Sequence, residues 1–289
     1  MFSIGDLLSK AWKNVVEKAY WKSFGFCVLM YLATIAVSII NNLVAGGSVA
    51  MMGSPGQMIL GILMSYALVI VVKIFVLNNL LIGSNKYFLD GAKSDKFEFS
   101  AIVHGFSEGR YMKYVKTLFF RDLYLFLWFI SFYVLMIAFA FLGTKNPAML
   151  VLMIPVYIGT YIFLIGIYYG YSFVPYILLE NQEMITKEVI SLSKSMAKGR
   201  KFKMFLLDLA VWGVVFIVDV FIMFAVVKNA MMSFDIVLMF FGYFLMVALS
   251  ALVVPYYLGA KAQLYLAIKS RMNGQPNGVS EELEASSNY

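Results

Sequence analysis

Reactive side chains are nearly missing from this chain of 289 residues, which has one cysteine, Cys27, and one histidine, His104. A lone cysteine forms no disulfide within the chain and no thiol relay. A lone histidine cannot supply the paired ligands of a histidine-based metal centre or of an HExxH helix. His104 reads as an interfacial histidine, since general-base work needs a partner beside it. Charge is scarce as well: 13% of residues are charged, against about a quarter in a soluble domain. The glycine-rich stretch AGGSVAMMGSPG (45–56) lacks the Gly-Lys-Ser/Thr of a phosphate loop and reads as a flexible turn. Enzyme signatures, metal ligand sets and cofactor motifs are all absent, so the expectation is a protein that is not an enzyme and carries no cofactor.

What the chain has instead is grease. Apolar residues make up 62% of it, and the mean hydropathy is +0.83. The surplus comes in blocks long enough to cross about 30 Å of hydrocarbon, roughly 20 residues each. Six such blocks occur: Phe24 to Val44, Met58 to Ile82, Val115 to Leu142, Met149 to Leu179, Phe202 to Val227 and Ile236 to about Leu258. The fourth is overlong and holds Pro155 and Pro175, which predicts a tilt or kink. The first block runs too long for a signal-peptide core and is expected to stay in the protein.

Basic residues orient the spans, because lysine and arginine collect in cytoplasmic loops. Residues 1–23, the loops after the second and fourth blocks, and the end of the sixth carry 20 Lys and Arg; the three alternate loops carry only Lys145 and Lys228. Both termini are therefore expected in the cytoplasm. The net charge of +7 then forms a collar over an anionic inner leaflet, worth about 1 kcal/mol per well-placed Lys or Arg. Nucleic acid is excluded as a partner, since a basic face on a soluble module is missing.

Before each odd-numbered span lies an amphipathic stretch. Ile185, Val189, Leu192 and Met196 form one apolar stripe, opposed by Lys187, Ser191, Lys194, Ser195 and Lys198, with Thr186 as N-cap and Gly199 as terminator. This predicts an interfacial helix whose Lys187, Lys194, Lys198, Arg200 and Lys201 contact anionic lipid. Ile4, Leu8, Trp12, Val15 and Ala19 make a similar stripe, and residues 99–119 a ragged one. The expected fold is all-α: six transmembrane helices as three tandem hairpins, each preceded by a cytoplasmic amphipathic surface helix. It forms one membrane domain, 1–272, with units of about 1–90, 91–182 and 183–272, and an acidic, disordered tail at 273–289. GIYYG (166–170) reads as a close-packing motif between spans of the chain.

Val-Pro-Tyr occurs near the basic end of two spans, at 174–176 and 254–256. Pro175 and Pro255 are expected to kink their helices and free the carbonyls of Tyr171 and Ala251. Together with Ser193, Met196, Gly199, Phe205, Leu206, Trp212, Gly213, Tyr256 and Tyr265, these prolines resemble the bacterial integral-membrane family known as domain of unknown function nine-seven-five. FEFSAIVHGF (97–106) resembles the same family, whereas Trp212-Gly213 reverses the order expected there. The resemblance implies six spans and a Gram-positive plasma membrane, and no activity.

Polar groups inside the membrane are expensive and therefore informative. Lys73, Asn78, Asn79, Ser172, Asp208, Asp219 and Lys261 are the candidate site, read as a polar cavity between spans two, four, five and six. Lys73 is expected to face inward and pair with an aspartate of span five, Asp208 by depth. Two functions fit. One is transport or handling of an amphipathic peptide, lipid or small solute. The other is a non-transporting immunity or accessory role, binding a membrane-active peptide or a membrane partner.

Overall fold

Backbone polar groups find no water in a bilayer, so an apolar span must satisfy them along its own helix. The computed structural model describes residues 3–50, 55–107, 109–145, 148–233 and 235–273, and among these it contains helices and no strands. Six helical stretches are long and apolar enough to cross a membrane: Ile4–Ile40, Ile59–Ser94, Tyr111–Phe141, Ile154–Glu180, Lys201–Val227 and Ile236–Asn273. They coincide with the six apolar blocks and several run on past the basic ends. The last helix has 38 residues, about 57 Å at 1.5 Å per residue, nearly twice the hydrocarbon thickness. The acidic tail beyond Asn273 and the outer-turn residues 51–54 lie outside the described residues.

Two packing units divide the chain. The first comprises Met1–Glu108 with Lys203–Ala267. Its helix α1 (Ile4–Ala11) opens with a capping box: the Ser3 hydroxyl accepts from the Asp6 N–H at 3.0 Å, and the Asp6 carboxylate accepts from the Ser3 N–H at 3.2 Å. A π-helical turn (Trp12–Glu17) leads into α2 (Lys18–Ala50), which bends at Ala19 (φ −143°, ψ 24°). The buried stripe is Leu7, Ala11, Val15 and Ala19, not the one expected. Only Val15 and Ala19 are shared, and Trp12 is 52% exposed. Leu7 and Ala11 are an ordinary i, i+4 pair within α1, and the wide turn carries the same spacing of four on to Val15 and Ala19.

Helix α3 (Pro55–Val72) returns through a second wide turn (Lys73–Leu77) into α4 (Asn78–Ser94). The ragged segment after it is a 3₁₀ helix (Phe99–Phe106) laid backbone to backbone on α4. A Cβ at Gly83 would come 2.5 Å from the Ile102 carbonyl oxygen, and one at Gly105 would strike the Asn79 carbonyl. Glycine is the residue that permits this approach. Phe26 of α2 stacks on Tyr87 at 4.0 Å and meets Phe88 edge-on and Phe99 obliquely, closing an aromatic core. The unit is completed by α9 (Lys201–Ile222), a third wide turn (Met223–Val227), α10 (Lys228–Ser233) and most of α11 (Ile236–Asn273).

The second unit comprises Gly109–Phe202 with Ile268–Tyr289. Helices α5 (Tyr111–Lys145) and α6 (Ala148–Gly170) form its hairpin. The chain turns at 171–173 into the short α7 (Val174–Glu180), with Pro175 in the first turn. Helix α8 (Thr186–Ala197) follows and packs on α5, α6 and α7. Its buried residues are Val189, Ile190, Ser193, Met196 and Ala197, while Ile185 is exposed. Thr186 does not act as the cap. Its hydroxyl pairs with that of Thr117 at 2.9 Å, and the Glu188 carboxylate accepts from the Ile185 N–H at 2.9 Å. Gly199, at φ +70°, ends the segment as expected. A buried Glu180 carboxylate binds Lys269 at 2.7 Å.

Candidate intramembrane binding site

Within the first unit a cavity of about 480 Å³ lies among α2, α4, α9 and α11. Most of its wall is apolar, as side chains in the middle of spans must be. Polar atoms come from Tyr31 and Thr34 of α2, Ser84 of α4, Asp219 of α9 and Ser250 of α11. Thr34 is satisfied locally, its hydroxyl donating to the Met30 carbonyl at 3.0 Å. Asp219 differs from it: one carboxylate oxygen is buried and has no hydrogen-bond partner. A buried acceptor left in that state costs about 1–3 kcal/mol, so the cavity is short of one donor. Asp219 stands 18 residues beyond Lys201, about 27 Å along the helix.

The walls differ from those expected. Span one takes the place assigned to span four, and of the seven candidate polar residues only Asp219 lines the cavity. Ser172 serves the turn before α7, its hydroxyl donating to the Tyr169 carbonyl at 3.0 Å. Asn78 and Asn79 are buried at the start of α4, and the Asn79 amide donates to the Phe75 carbonyl inside the wide turn at 2.9 Å. Lys73 begins that turn on an exposed position.

Asp208 and Lys261 meet on a third residue, Tyr257. Its hydroxyl donates to Asp208 at 2.9 Å, the Lys261 ammonium lies 4.9 Å from its ring centre, and Trp212 meets that ring edge-on at 5.3 Å. The tyrosine neutralises no charge, but it supplies a donor to the acid and a π face to the base. Nothing in local spacing marks Tyr257, which is 49 residues from Asp208. Thr34 and Ser84 were equally silent, because isolated hydroxyls in a span usually bond to their own helix.

The two prolines part company. Pro175 lies in the first turn of α7, where its missing N–H is no loss, and the Tyr171 carbonyl accepts from the Val174 N–H at 3.3 Å. Pro255 is carried inside α11, and near it the Leu252 carbonyl accepts from the Tyr20 hydroxyl at 3.0 Å. The glycines of GIYYG meet different elements: a Cβ at Gly166 would come within 4.0 Å of the Lys201 ammonium at the start of α9, whereas Gly170 faces α8, its carbonyl taking the buried Ser193 hydroxyl at 2.9 Å. Of the basic residues assigned to lipid, Lys187, Lys194, Lys198 and Lys201 are exposed. Arg200 folds back to cap α8, donating to the Met196 carbonyl at 3.0 Å.

Six helices long and apolar enough to cross a membrane, with a cavity holding one under-bonded carboxylate among four of them, define a polytopic helical membrane protein with an intramembrane pocket. Within that class the chain has a family. The family model described as "Protein of unknown function (DUF975)" matches residues 48–272, well over half the chain, and the protein belongs to that family. No curated protein and no solved structure matches it. Several residues of the likeness now have physical roles. Ser193 ties α8 to Gly170, Gly199 makes the left-handed turn, Trp212 packs on Tyr257, and the Tyr256 hydroxyl donates to the Leu8 carbonyl at 3.3 Å.

Proposed function

We propose that the protein handles an amphipathic ligand inside a bacterial plasma membrane, with both termini cytoplasmic, by binding and moving it and without catalysing a reaction on it. The ligand class is a small solute, lipid or peptide segment with an apolar body and a donor or cationic group. The carrying observation is the buried, unpartnered oxygen of Asp219 in a mostly apolar cavity of about 480 Å³. That volume suits a drug-sized molecule, since small-molecule sites run from about 300 to 1,000 Å³. An alkylammonium would fill the apolar wall with its chain and give Asp219 the missing donor, a charge-assisted bond worth about 1.5–3 kcal/mol.

The test is titration of a dansyl-labelled alkylamine into the protein in nanodiscs. Asp219→Asn is expected to weaken binding by about tenfold or more, the equivalent of that bond. Equal affinity for both proteins would sink the reading. Uptake of the same amine by protein-containing vesicles separates the two roles. Binding with no uptake turns the conclusion to the non-transporting one, an immunity or accessory protein that holds a membrane-active peptide.

A further inference from the structure

The basic face of α8 borders a groove in the second unit, separate from the cavity. Lys187, Ser191 and Lys194 fall at i, i+4 and i+7, on one side of the helix. Opposite them stand Phe120 and Tyr124 of α5, and with Thr186 and Ile190 these residues line a groove of about 540 Å³. No acidic residue is among the seven.

Lys194 is held in a particular way. Its ammonium lies 4.8 Å from the ring centre of Tyr171 and 5.9 Å from that of Tyr124, and the two rings stack at 6.4 Å. Aromatic faces position a cation without cancelling its charge, so the ammonium stays available to an anion. The helix that carries it is pinned. Ser193 bonds to Gly170 at one point and Thr186 to Thr117 at another, so the two lysines are presented on a fixed frame and less is lost in ordering them on binding.

The groove also continues in one direction. Phe120, Tyr124, Leu127 and Trp128 follow one another at helical spacing along α5, and Tyr124, Leu127 and Trp128 are exposed. An apolar track therefore leads from the cationic groove up the span. A free phosphate ester would use the lysines and leave the track bare; a phospholipid uses both.

We propose that this groove is a headgroup site for an anionic phospholipid. The phosphodiester sits between Lys187 and Lys194 with the Ser191 hydroxyl between them, and an acyl chain lies along Phe120, Tyr124, Leu127 and Trp128.

The experiment is native mass spectrometry of the full chain released from nanodiscs of phosphatidylcholine and phosphatidylglycerol. Lys187→Gln with Lys194→Gln is expected to reduce retained phosphatidylglycerol at least about fivefold, with phosphatidylcholine unchanged. The charge-matched control, Lys93→Gln with Lys96→Gln, is expected to retain it. Equal loss in both double variants would mean an unspecific basic collar and overturn the site. Displacement by soluble glycerophosphate at equal concentration would overturn the lipid assignment in favour of a free phosphate ester. Should the double variant fold poorly, photoactivatable phosphatidylglycerol on the unaltered protein gives the answer. Crosslinks on α5 between Phe120 and Trp128 support the site, and crosslinks confined to other helices refute it.

Discussion

Val-Pro-Tyr stands at 174–176 and again at 254–256, yet the backbone treats the two copies differently. At the first, α6 stops at Gly170 and Pro175 opens a new helix; at the second, α11 runs through Pro255 from Ile236 to Asn273 without ending. The residues just before each copy account for this. Gly170, Tyr171, Ser172 and Phe173 include a glycine and a serine whose hydroxyl bonds back to Tyr169, both of which favour stopping. Ser250, Ala251, Leu252 and Val253 include no glycine and hold leucine where the first copy has Ser172, and the proline is tolerated as an interruption of one bond. A proline in a span is thus decided by its neighbours and by who receives the carbonyls around it. At the break Ser193 receives the Gly170 carbonyl; in the uninterrupted helix Tyr20 receives the Leu252 carbonyl, one residue beyond the Ala251 carbonyl that Pro255 deprives of its N–H.

Removing the receivers tests the comparison most severely. Ser193→Val leaves the Gly170 carbonyl buried without its donor and should cost about 1–3 kcal/mol, read as a lower melting temperature in detergent. An unchanged melt would show that the break needs no support from α8. Tyr20→Phe should cost less, about 0.5–1.5 kcal/mol, because the site is only half-buried and the helix there is continuous. The prolines themselves come last. Pro175→Ala should destabilise by about 0.4–1 kcal/mol, since proline stiffens the unfolded chain at a position whose backbone already suits it. Pro255→Ala should fall within about 0.5 kcal/mol of zero, because the restored N–H offsets that same entropic loss. A larger loss at Pro255 than at Pro175 would break the distinction.

The spans were legible because hydrophobic length is a one-dimensional signal, and α8 because Thr186 to Gly199 carries both a stripe and a terminator. The face α8 buries was only half legible. Val189 and Met196 were in the expected stripe, but Ile185 is exposed and Ser193 is the most consequential contact. Burial beside three helices selects a broader face than a flat membrane would. The site was less legible still. Asp219 announced itself as a charge in a span, whereas Thr34, Ser84 and Tyr257 depend on which helices become neighbours, which spacing within one helix does not record. Lys194 was read correctly as exposed and basic, but its aromatic seat joins Tyr124 of α5 with Tyr171 beyond α6, and no local pattern links those.

The wide turns at Trp12–Glu17, Lys73–Leu77 and Met223–Val227 have a consequence for the azimuth of everything that follows them. Each accommodates one residue more than an α-helical turn does, and one residue corresponds to about 100° of rotation about the helix axis. The turn at Lys73–Leu77 therefore fixes the compass bearing of α4 as a whole, which sets Ser84 toward the cavity and Asn79 and Gly83 under the 3₁₀ segment. Deleting one residue from that turn would leave the span almost as long and as greasy as before. It would also swing those three residues more than a quarter of a circle away from the surfaces they now meet.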